Sequence, residues 1–317
     1  MKALLLVSIA LCAGTAAAAA PVSKDMTLIP GALTPGRQPD GNSILIDAPQ
    51  GLILVDTGRH KEQQDKILAA ARARGKPIAA IVNTHWHLDH SGGNAEIRAA
   101  YPGVPLYASN AVEGALTGFL KKSREGAQAY IDSGKATPEI KADIALDMAA
   151  MDDAADLKPD RPVLGSSKTQ IAGRRIDVRL APFAATEGDV WLFDPKTQTV
   201  IAGDLVVGPA PFLDTACAEG WRKALGEISK LKFATLIPGH GNPMTKTEFL
   251  SWKRAFDNLL DCASGRDTKE VCIAGWRHDA AAFVPAGEKR TDGLIGYYID
   301  SRLRAPEEER TRYCKPQ

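Results

Sequence analysis

Short β-branched apolar runs alternate with longer amphipathic stretches along this chain, a pattern typical of a mixed α/β protein. Residues 42–47 and 51–55 are two such runs, and the segment 48–50 between them predicts a hairpin. A helix is predicted over 61–74, because a glycine follows at the position of a C-terminal cap. Residues 77–82 are apolar throughout, as in a buried strand of a parallel or mixed sheet.

The same periodicities predict the later elements. The predicted strands are 106–108, 175–180, 190–193, 199–202 and 235–237, with a hairpin between 190–193 and 199–202. The predicted helices are 94–100, 112–122, 123–132, 138–153 and 246–262. A further helix is predicted to have Trp221, Leu225, Ile228 and Leu231 on one face. Gly203-Asp204 is expected to end the strand that begins at Thr199.

Metal-binding side chains follow the strand predicted at 77–82 at high density: His85, His87, Asp89 and His90. Alternate residues of an extended chain face the same way, so His85 and His87 point to one side and Asp89 follows in step. His90 points differently, where it could serve a second metal. Histidines on a surface loop are the alternative, but closely spaced nitrogen and oxygen ligands of this kind are typical of zinc sites.

The N-terminus has the parts of a secretory signal peptide: Lys2, a short apolar stretch and an alanine run. The apolar stretch is too short to span a membrane. Cleavage is expected after Ala19, since Ala17 and Ala19 occupy the small-residue positions, and Leu11 before Cys12 disfavours a lipid anchor. The mature protein is predicted to be periplasmic or secreted, with no stable membrane anchor.

Composition supports a large folded unit without pointing to a polyanionic partner. The chain has 317 residues, 44% of them hydrophobic, which is enough for one large α/β domain with or without an appendage. The formal net charge of +1 falls to zero when Lys2 is removed. Nucleic acid and anionic membranes are therefore not expected as partners, and a small-molecule substrate is.

The cysteines after the predicted cleavage site are Cys217, Cys262, Cys272 and Cys314. In an oxidising compartment they are expected to form disulfides rather than to bind metal. Several pairings are open. Cys262 with Cys272, which closes a short loop, is the favoured pair, and it leaves Cys217 for Cys314.

Histidine and aspartate recur at later strand ends, at Asp204 and at His240 in the segment Pro-Gly-His-Gly. Together with the His-x-His-x-Asp-His segment, these motifs resemble those of the metallo-β-lactamase superfamily over about residues 28–262. The resemblance implies a four-layer αββα sandwich that binds one or two metal ions at the edge shared by its two sheets.

The N-terminal pattern and the extent of the resemblance together predict three segments along the chain. We expect a signal peptide over 1–19, a metallo-β-lactamase-like domain over 20–264 and a C-terminal extension over 265–317 packed on that domain. The charged end of the extension is expected to be solvated. A helical insertion at about 109–168 is expected to cover the metal-binding face and to shape substrate choice.

A role for each motif residue follows from the resemblance. The first metal is expected on His85 and His87, the second on Asp89, His90 and His240, with Asp204 bridging both and Asp89 also orienting a catalytic water. A third histidine normally completes the first site, in a segment of the form His-Thr-x-Gly-Asp, but here Ala185 stands at its place. Glu187 is close but displaced, and is only a minor alternative ligand.

The incomplete ligand set predicts two unequal sites. The second site is expected to fill first, with zinc as the best match to nitrogen and oxygen ligands, although iron and manganese are not excluded by ligand type.

Two further residues are interpreted structurally. Asp56, at a strand end, is expected to hold loop backbone groups, and His60 is expected to be a surface histidine rather than a ligand.

We expect a metal-dependent hydrolase that uses activated water on an ester, thioester, lactone or lactam bond. A metal- or ligand-binding protein with weakened turnover is the alternative, because Ala185 removes one ligand. An oxidoreductase is less favoured, since the iron-dependent dioxygenases that resemble this family rely on the missing histidine. The sequence leaves the oligomeric state open.

Overall fold

Two β-sheets form the centre of the protein, in a computed structural model that describes residues 19–285, 288 and 290–315. The first sheet consists, in spatial order, of β1 Ala20–Ser23, β2 Met26–Ile29, β3 Ser43–Ala48, β4 Gly51–Val55, β5 Ile78–Val82, β6 Leu106–Ala108 and β7 Arg161–Pro162. The second consists of β13 Met244–Thr245, β12 Thr235–His240, β11 Thr199–Val207, β10 Gly188–Asp194, β9 Arg174–Pro182 and β8 Ser167–Ile171. Residues 1–18 of the predicted signal peptide lie outside the described residues.

Helices cover the outer faces of the sheets and make up most of the C-terminal part. They are α1 Lys61–Arg74, α2 Leu88–Ser91, α3 Asn94–Ala100, α4 Ala111–Thr117, α5 Phe119–Asp132, α6 Pro138–Asp152, α7 Ala218–Lys230, α8 Lys246–Ser264, α9 Lys269–Asp279, α10 Thr291–Tyr298 and α11 Glu307–Arg310. A 3₁₀ turn at Ala281–Phe283 and a π-helical turn at Ile299–Leu303 complete the chain.

The strand periodicity produces the layers. In β3, Ile44 and Ile46 face the other sheet, where they join a cluster with residues of β9, β10 and β11, while Leu45 faces outward. The outward face of the first sheet packs under α1 and α3, and that of the second packs under α7 and α8 through Trp221 and Trp252. The predicted four-layer αββα architecture is therefore confirmed.

Most predicted elements are present, and the differences have local causes. The hairpin of β3 and β4 and the helix α1, capped by Gly75 with a φ of 63°, are confirmed. The boundary predicted between 122 and 123 is wrong, because the helix breaks at Gly118 instead. The helical insertion also ends before residue 168, since β7 pairs with β6 in the first sheet and β8 begins at Ser167.

The strand β11 does not end at Gly203-Asp204 as predicted but continues to Val207. Its pairing with β12 shifts register between Ile201 and Gly203, and Gly203 adopts a φ of 53°. Such an irregularity redirects side chains without ending the strand. A Cβ at Gly203 would lie 2.6 Å from the Cβ of Thr84, so the bulge also needs the missing side chain.

The C-terminal helices extend the apolar core of the second sheet. Trp276 of α9 and Tyr298 of α10 are buried against residues of α8. Disulfides join Cys262 to Cys272 and Cys217 to Cys314, which are the predicted pairs. No helix among the described residues is both long and apolar enough to cross a membrane.

The prediction that His60 is a surface histidine is wrong. His60 is 4% exposed, with Nδ1 2.8 Å from Asp40 Oδ2 and Nε2 3.1 Å from Oδ1 of Asp143 in α6. Asp143 also accepts from Arg37 Nη2 at 2.7 Å and from the backbone N–H of Gln38 at 2.8 Å. These bonds attach the helical insertion to the loop before β3.

Burial disfavours the imidazolium form of His60, but the neighbouring carboxylates of Asp40 and Asp143 outweigh it, so the pKa of His60 is raised. A raised pKa in the folded state stabilises the protein below the unfolded value of 6.5, and this contribution is lost as pH rises through the folded pKa. Under mildly acidic conditions His60 is thus positively charged and links the carboxylates of Asp40 and Asp143.

We expect His60→Gln to lower the free energy of unfolding by about 1–3 kcal/mol at pH 6, because buried carboxylates lose a charged donor. Thermal unfolding of both proteins at equal metal content should show this difference shrinking towards pH 9. His278→Gln, in which the replaced side chain is 89% exposed, is the control and should change little. A difference that does not vary with pH would show that His60 is not charged in the folded protein.

Candidate metal centre

The sheet edges bring the predicted ligands together. His85 and His87 follow β5, Asp89 and His90 lie in the short helix α2, Asp204 lies in β11, and His240 ends β12. Strands β11 and β12 are parallel neighbours. Gly239 permits the close approach, since a Cβ there would lie 2.0 Å from Asp204 Oδ1.

One group consists of Asp89, His90 and His240, all buried. His240 Nε2 lies 3.0 Å from Asp89 Oδ2 and 3.2 Å from His90 Nε2, and His90 Nε2 lies 3.6 Å from Asp89 Oδ2. We call this set the second group. Its ligand atoms are close enough to share one cation.

The other group consists of His85, His87 and Asp204, whose potential ligand atoms lie within 4.8 Å of one another. His85 Nε2 is 3.8 Å from Asp204 Oδ2. The other oxygen of Asp204, Oδ1, is 3.1 Å from His90 Nε2. Asp204 therefore lies between this first group and the second, in the position of a bridging carboxylate.

Outer hydrogen bonds fix the proton positions on two of the imidazoles. Asp56 Oδ2 lies 2.8 Å from His90 Nδ1, so His90 donates from Nδ1 and its Nε2 faces the second group. Thr84 donates its hydroxyl hydrogen to Asp56 and can only accept from His85 Nδ1, at 3.0 Å. His85 consequently directs the lone pair of Nε2 into the first group.

Asp56 has the structural role predicted for it, in a wider form. It adopts a φ of 59° and accepts from the backbone N–H of Thr84 at 2.7 Å. Its second oxygen, Oδ2, accepts a hydrogen bond from His90 Nδ1. One carboxylate thus holds the loop after β5 and orients a candidate ligand.

The donor set fits a cation. Among the described residues, the buried atoms His85 Nε2, Asp204 Oδ1 and Asp204 Oδ2 have no hydrogen-bond partner. Burying such atoms without a partner is costly, and converging lone pairs and carboxylate oxygens need a positive charge between them. Imidazole nitrogen and carboxylate oxygen are ligand types that bind divalent metal ions. The ligand roles themselves stay predictions.

The electrostatics of the two groups differ. Burial opposes the imidazolium of His90, but Asp204, Asp89 and Asp56 together hold the pKa of His90 well above its ordinary value. Burial and the neighbouring histidines lower the pKa of His85 well below that value, and burial lowers the pKa of His87. The carboxylates of Asp204, Asp89 and Asp56 therefore surround His90 with negative charge that attracts a cation.

Ala185 lies beside the first group. It is buried, and its carbonyl oxygen accepts from Thr215 Oγ1 at 3.0 Å, while the same hydroxyl lies 2.9 Å from His87 Nε2. Glu187 accepts from the indole N–H of Trp86 at 3.2 Å and belongs to neither group, so the minor alternative ligand is not brought to the site. Thr215 was not predicted, because an isolated threonine in a loop belongs to no motif.

A cavity of about 500 Å³ lies over the two groups. His87 and Asp89 line it, together with Phe119 of the insertion, Phe212 and Tyr298. Phe119 of the insertion thus lies in the cavity wall beside His87 and Asp89. The sequence also missed Arg59, which lines the cavity with its guanidinium 3.9 Å from Asp89 Oδ1 and paired to Asp147 of α6.

The αββα sandwich and its paired histidine–aspartate groups define a metal-binding class of α/β proteins. A family model described as the metallo-beta-lactamase superfamily matches residues 36–240. The chain belongs to this superfamily, and the relatives that it matches include hydrolases.

Curated relatives match over limited lengths. A linear primary-alkylsulfatase from Pseudomonas sp. is 29% identical over 226 residues, which cover 64% of this chain and 42% of that protein. A hydroxyacylglutathione hydrolase from Gloeobacter violaceus is 42% identical over 60 residues, which cover 19% of this chain and 24% of that protein. The chain thus spans less than half the length of these relatives.

Solved structures share the fold at low identity. A metallo-beta-lactamase from Pontibacter korlensis has a TM-score of 0.55 and 18% identity, covering 76% of this chain and 98% of that one. One from Hirschia baltica has a TM-score of 0.54 and 16% identity, covering 75% and 96%. These similarities concern the architecture alone.

Zinc titration of the metal-free protein should reveal two unequal equivalents, with the tighter one on the second group. We expect His240→Ala to weaken the tighter equivalent by at least ~100-fold, since losing a ligand costs more than losing an outer partner. His85→Ala should leave it within a few fold. Competition with a chromophoric chelator measures both, and a tighter equivalent that is lost in His85→Ala instead would reverse the assignment.

Ala185→His should raise the metal content measured by elemental analysis towards two ions per chain, because it returns an imidazole to the first group. Ala185→Leu adds similar bulk at the same buried position without a lone pair, and should not raise it. An unchanged content in folded Ala185→His would show that residue 185 does not face the first group.

Proposed function

We propose that this protein is a zinc-dependent hydrolase that cleaves an ester, thioester, lactone or lactam bond with activated water. The observation that carries the proposal is the convergence of six side chains, with unpartnered buried acceptor atoms among them, at a cavity wide enough for a small organic substrate. Membership of a superfamily that includes hydrolases supports it.

The second group and Asp204 would hold one ion, and His85 and His87 with Asp204 would hold another less tightly. When bound, zinc supplies a water of lowered pKa and polarises the bond to be cleaved. Asp89, whose Oδ2 lies 3.0 Å from His240 Nε2, would orient a water at this site. Arg59 lies 3.9 Å from the other oxygen of Asp89 and holds the carboxylate in position.

The cavity walls favour substrates with an apolar part beside the bond to be cleaved. Trp86 packs on Phe119 with ring centroids 5.5 Å apart, and Leu120 and Phe212 continue the apolar lining. These walls exclude bulk water and bind an acyl or alkyl group by burial. Sulfuric esters belong in the same test, because the alkylsulfatase is the relative with the longer match.

We place the mature protein in the periplasm or outside the cell, acting on a small molecule. The predicted signal peptide and the two disulfides support this location, since disulfides persist in oxidising compartments.

A metal- or ligand-binding protein with little turnover is the second candidate. One specific observation favours it: Ala185 leaves the first group with two imidazoles and a shared carboxylate. A catalytic zinc usually keeps three protein ligands, so a weakly held ion could limit turnover.

A panel of apolar ester, thioester, lactone, lactam and sulfuric ester substrates tests the proposal. Hydrolysis should vanish with chelator and return with zinc. Asp89→Asn should lower kcat by about 10²–10⁴-fold, because a neutral amide orients the water less well and accepts no proton. Glu187→Gln, which changes a nearby carboxylate outside both groups, should stay within a few fold.

Two outcomes would count against the hydrolase. Bound zinc without turnover on any member of the panel would favour the binding protein. Turnover that survives complete removal of metal would refute the metal-dependent mechanism.

A further inference from the structure

Thr215 is fully buried between His87 and Ala185. Its Oγ1 is 3.0 Å from the carbonyl oxygen of Ala185 and 2.9 Å from His87 Nε2. A carbonyl oxygen only accepts, so the single hydroxyl hydrogen of Thr215 is donated to Ala185. Oγ1 must then accept a hydrogen from His87, which places the proton of His87 on Nε2.

We propose that Thr215 is a positioning residue for His87 in the first group. The hydrogen bond from Nε2 keeps the imidazole in one tautomer and one orientation, with the lone pair of Nδ1 available to a metal ion. The inference rests on the metal binding proposed above, but not on hydrolysis. It gives the backbone of Ala185 a function in the segment where the expected imidazole is missing.

The loop that carries Thr215 is held from several sides. The backbone N–H of Cys217 donates to Ala184 at 2.9 Å, and Cys217 is bonded to Cys314. On the other side of Thr215, Asp214 accepts from Tyr298 of α10 at 2.7 Å. The hydroxyl is therefore fixed by the second sheet and by the C-terminal extension together, which is what an orienting group requires.

Thr84 provides an internal comparison. Its hydroxyl donates to Asp56 and accepts from His85, just as that of Thr215 donates to Ala185 and accepts from His87. Both imidazoles of the first group thus have a threonine hydroxyl as outer acceptor. With two imidazoles instead of three, the fixed orientation of each contributes more to the affinity for a metal ion.

The experiment compares Thr215→Val, which removes the hydroxyl but keeps the volume, with Thr215→Ser, which keeps the hydroxyl. Long-range ¹H–¹⁵N spectra of the metal-free full chain report the tautomer of His87. Wild type and Thr215→Ser should carry the proton on Nε2, and Thr215→Val should show a mixture of tautomers. Thr199→Val, at a buried threonine at the start of β11, is the matched control and should resemble wild type.

Zinc competition gives the second readout. Thr215→Val should weaken the looser equivalent by about 10–100-fold, the usual effect of an outer partner, while the tighter equivalent stays unchanged. Thr215→Ser should remain within a few fold of wild type. Thermal unfolding of the metal-free variants verifies that each one is folded, and Thr215→Ala is the alternative if Thr215→Val is not.

An unchanged tautomer in Thr215→Val would overturn the inference, as would equal weakening by Thr215→Ser. A zinc-loaded crystal structure with Oγ1 of Thr215 bound directly to the ion would also overturn it, because Thr215 would then be a ligand. These outcomes are independent of the proposed activity. If the protein hydrolyses no substrate but Thr215→Val changes the tautomer of His87, the positioning role of Thr215 stands and the proposed hydrolase activity does not.

Discussion

The approach of several buried lone pairs and carboxylate oxygens to one place is the constraint on which the structure depends. Asp89, His90 and His240 bring their ligand atoms to between 3.0 and 3.6 Å of one another, and Asp204 lies 3.1 Å from His90. Such atoms repel unless a cation or protons lie between them. Asp56 accepts a hydrogen bond from the outer nitrogen of His90, so the inner nitrogen faces Asp89, Asp204 and His240, where a cation would lie. The surrounding residues hold these carboxylates and imidazoles close together despite that repulsion.

The fold meets this constraint by joining two sheets at one edge. The segment after β5 carries four of the predicted ligands, and the parallel strands β11 and β12 carry the other two. The bulge at Gly203 and the close approach at Gly239 let the carboxylate of Asp204 reach histidines from both sheets. The side chains that orient the imidazoles come from both sheets' connections, with Asp56 after β4, Thr84 beside His85 and Thr215 after β11, so the centre depends on the whole sandwich.

The difference between what could and could not be predicted follows from sequence distance. The ligand motif is local and dense, so His85, His87, Asp89 and His90 stand out, and strand ends mark Asp204 and His240. The burial of His60 was not predictable, because its partners lie 20 and 83 residues away. The strand β7 is two residues long and has no periodicity to detect. The roles of Thr84 and Thr215 were also not predictable, since a threonine acquires an orienting role only from its neighbours in space.

The segment around Ala185 carries no imidazole, but its hydrogen bonds keep it ordered. Thr186 still donates its backbone N–H and its hydroxyl to Asp189, at 2.9 and 3.1 Å, and Ala185 accepts from Thr215. Without a hydrogen-bond partner, the imidazole of His87 would be free to rotate. Here Thr215 accepts from its outer nitrogen, Nε2, and holds it in one orientation. The first group is therefore an ordered site of lower ligand number. If both proposed ions bind, the first group is expected to exchange its ion more readily than the second, because it would hold that ion with only two imidazoles and a shared carboxylate.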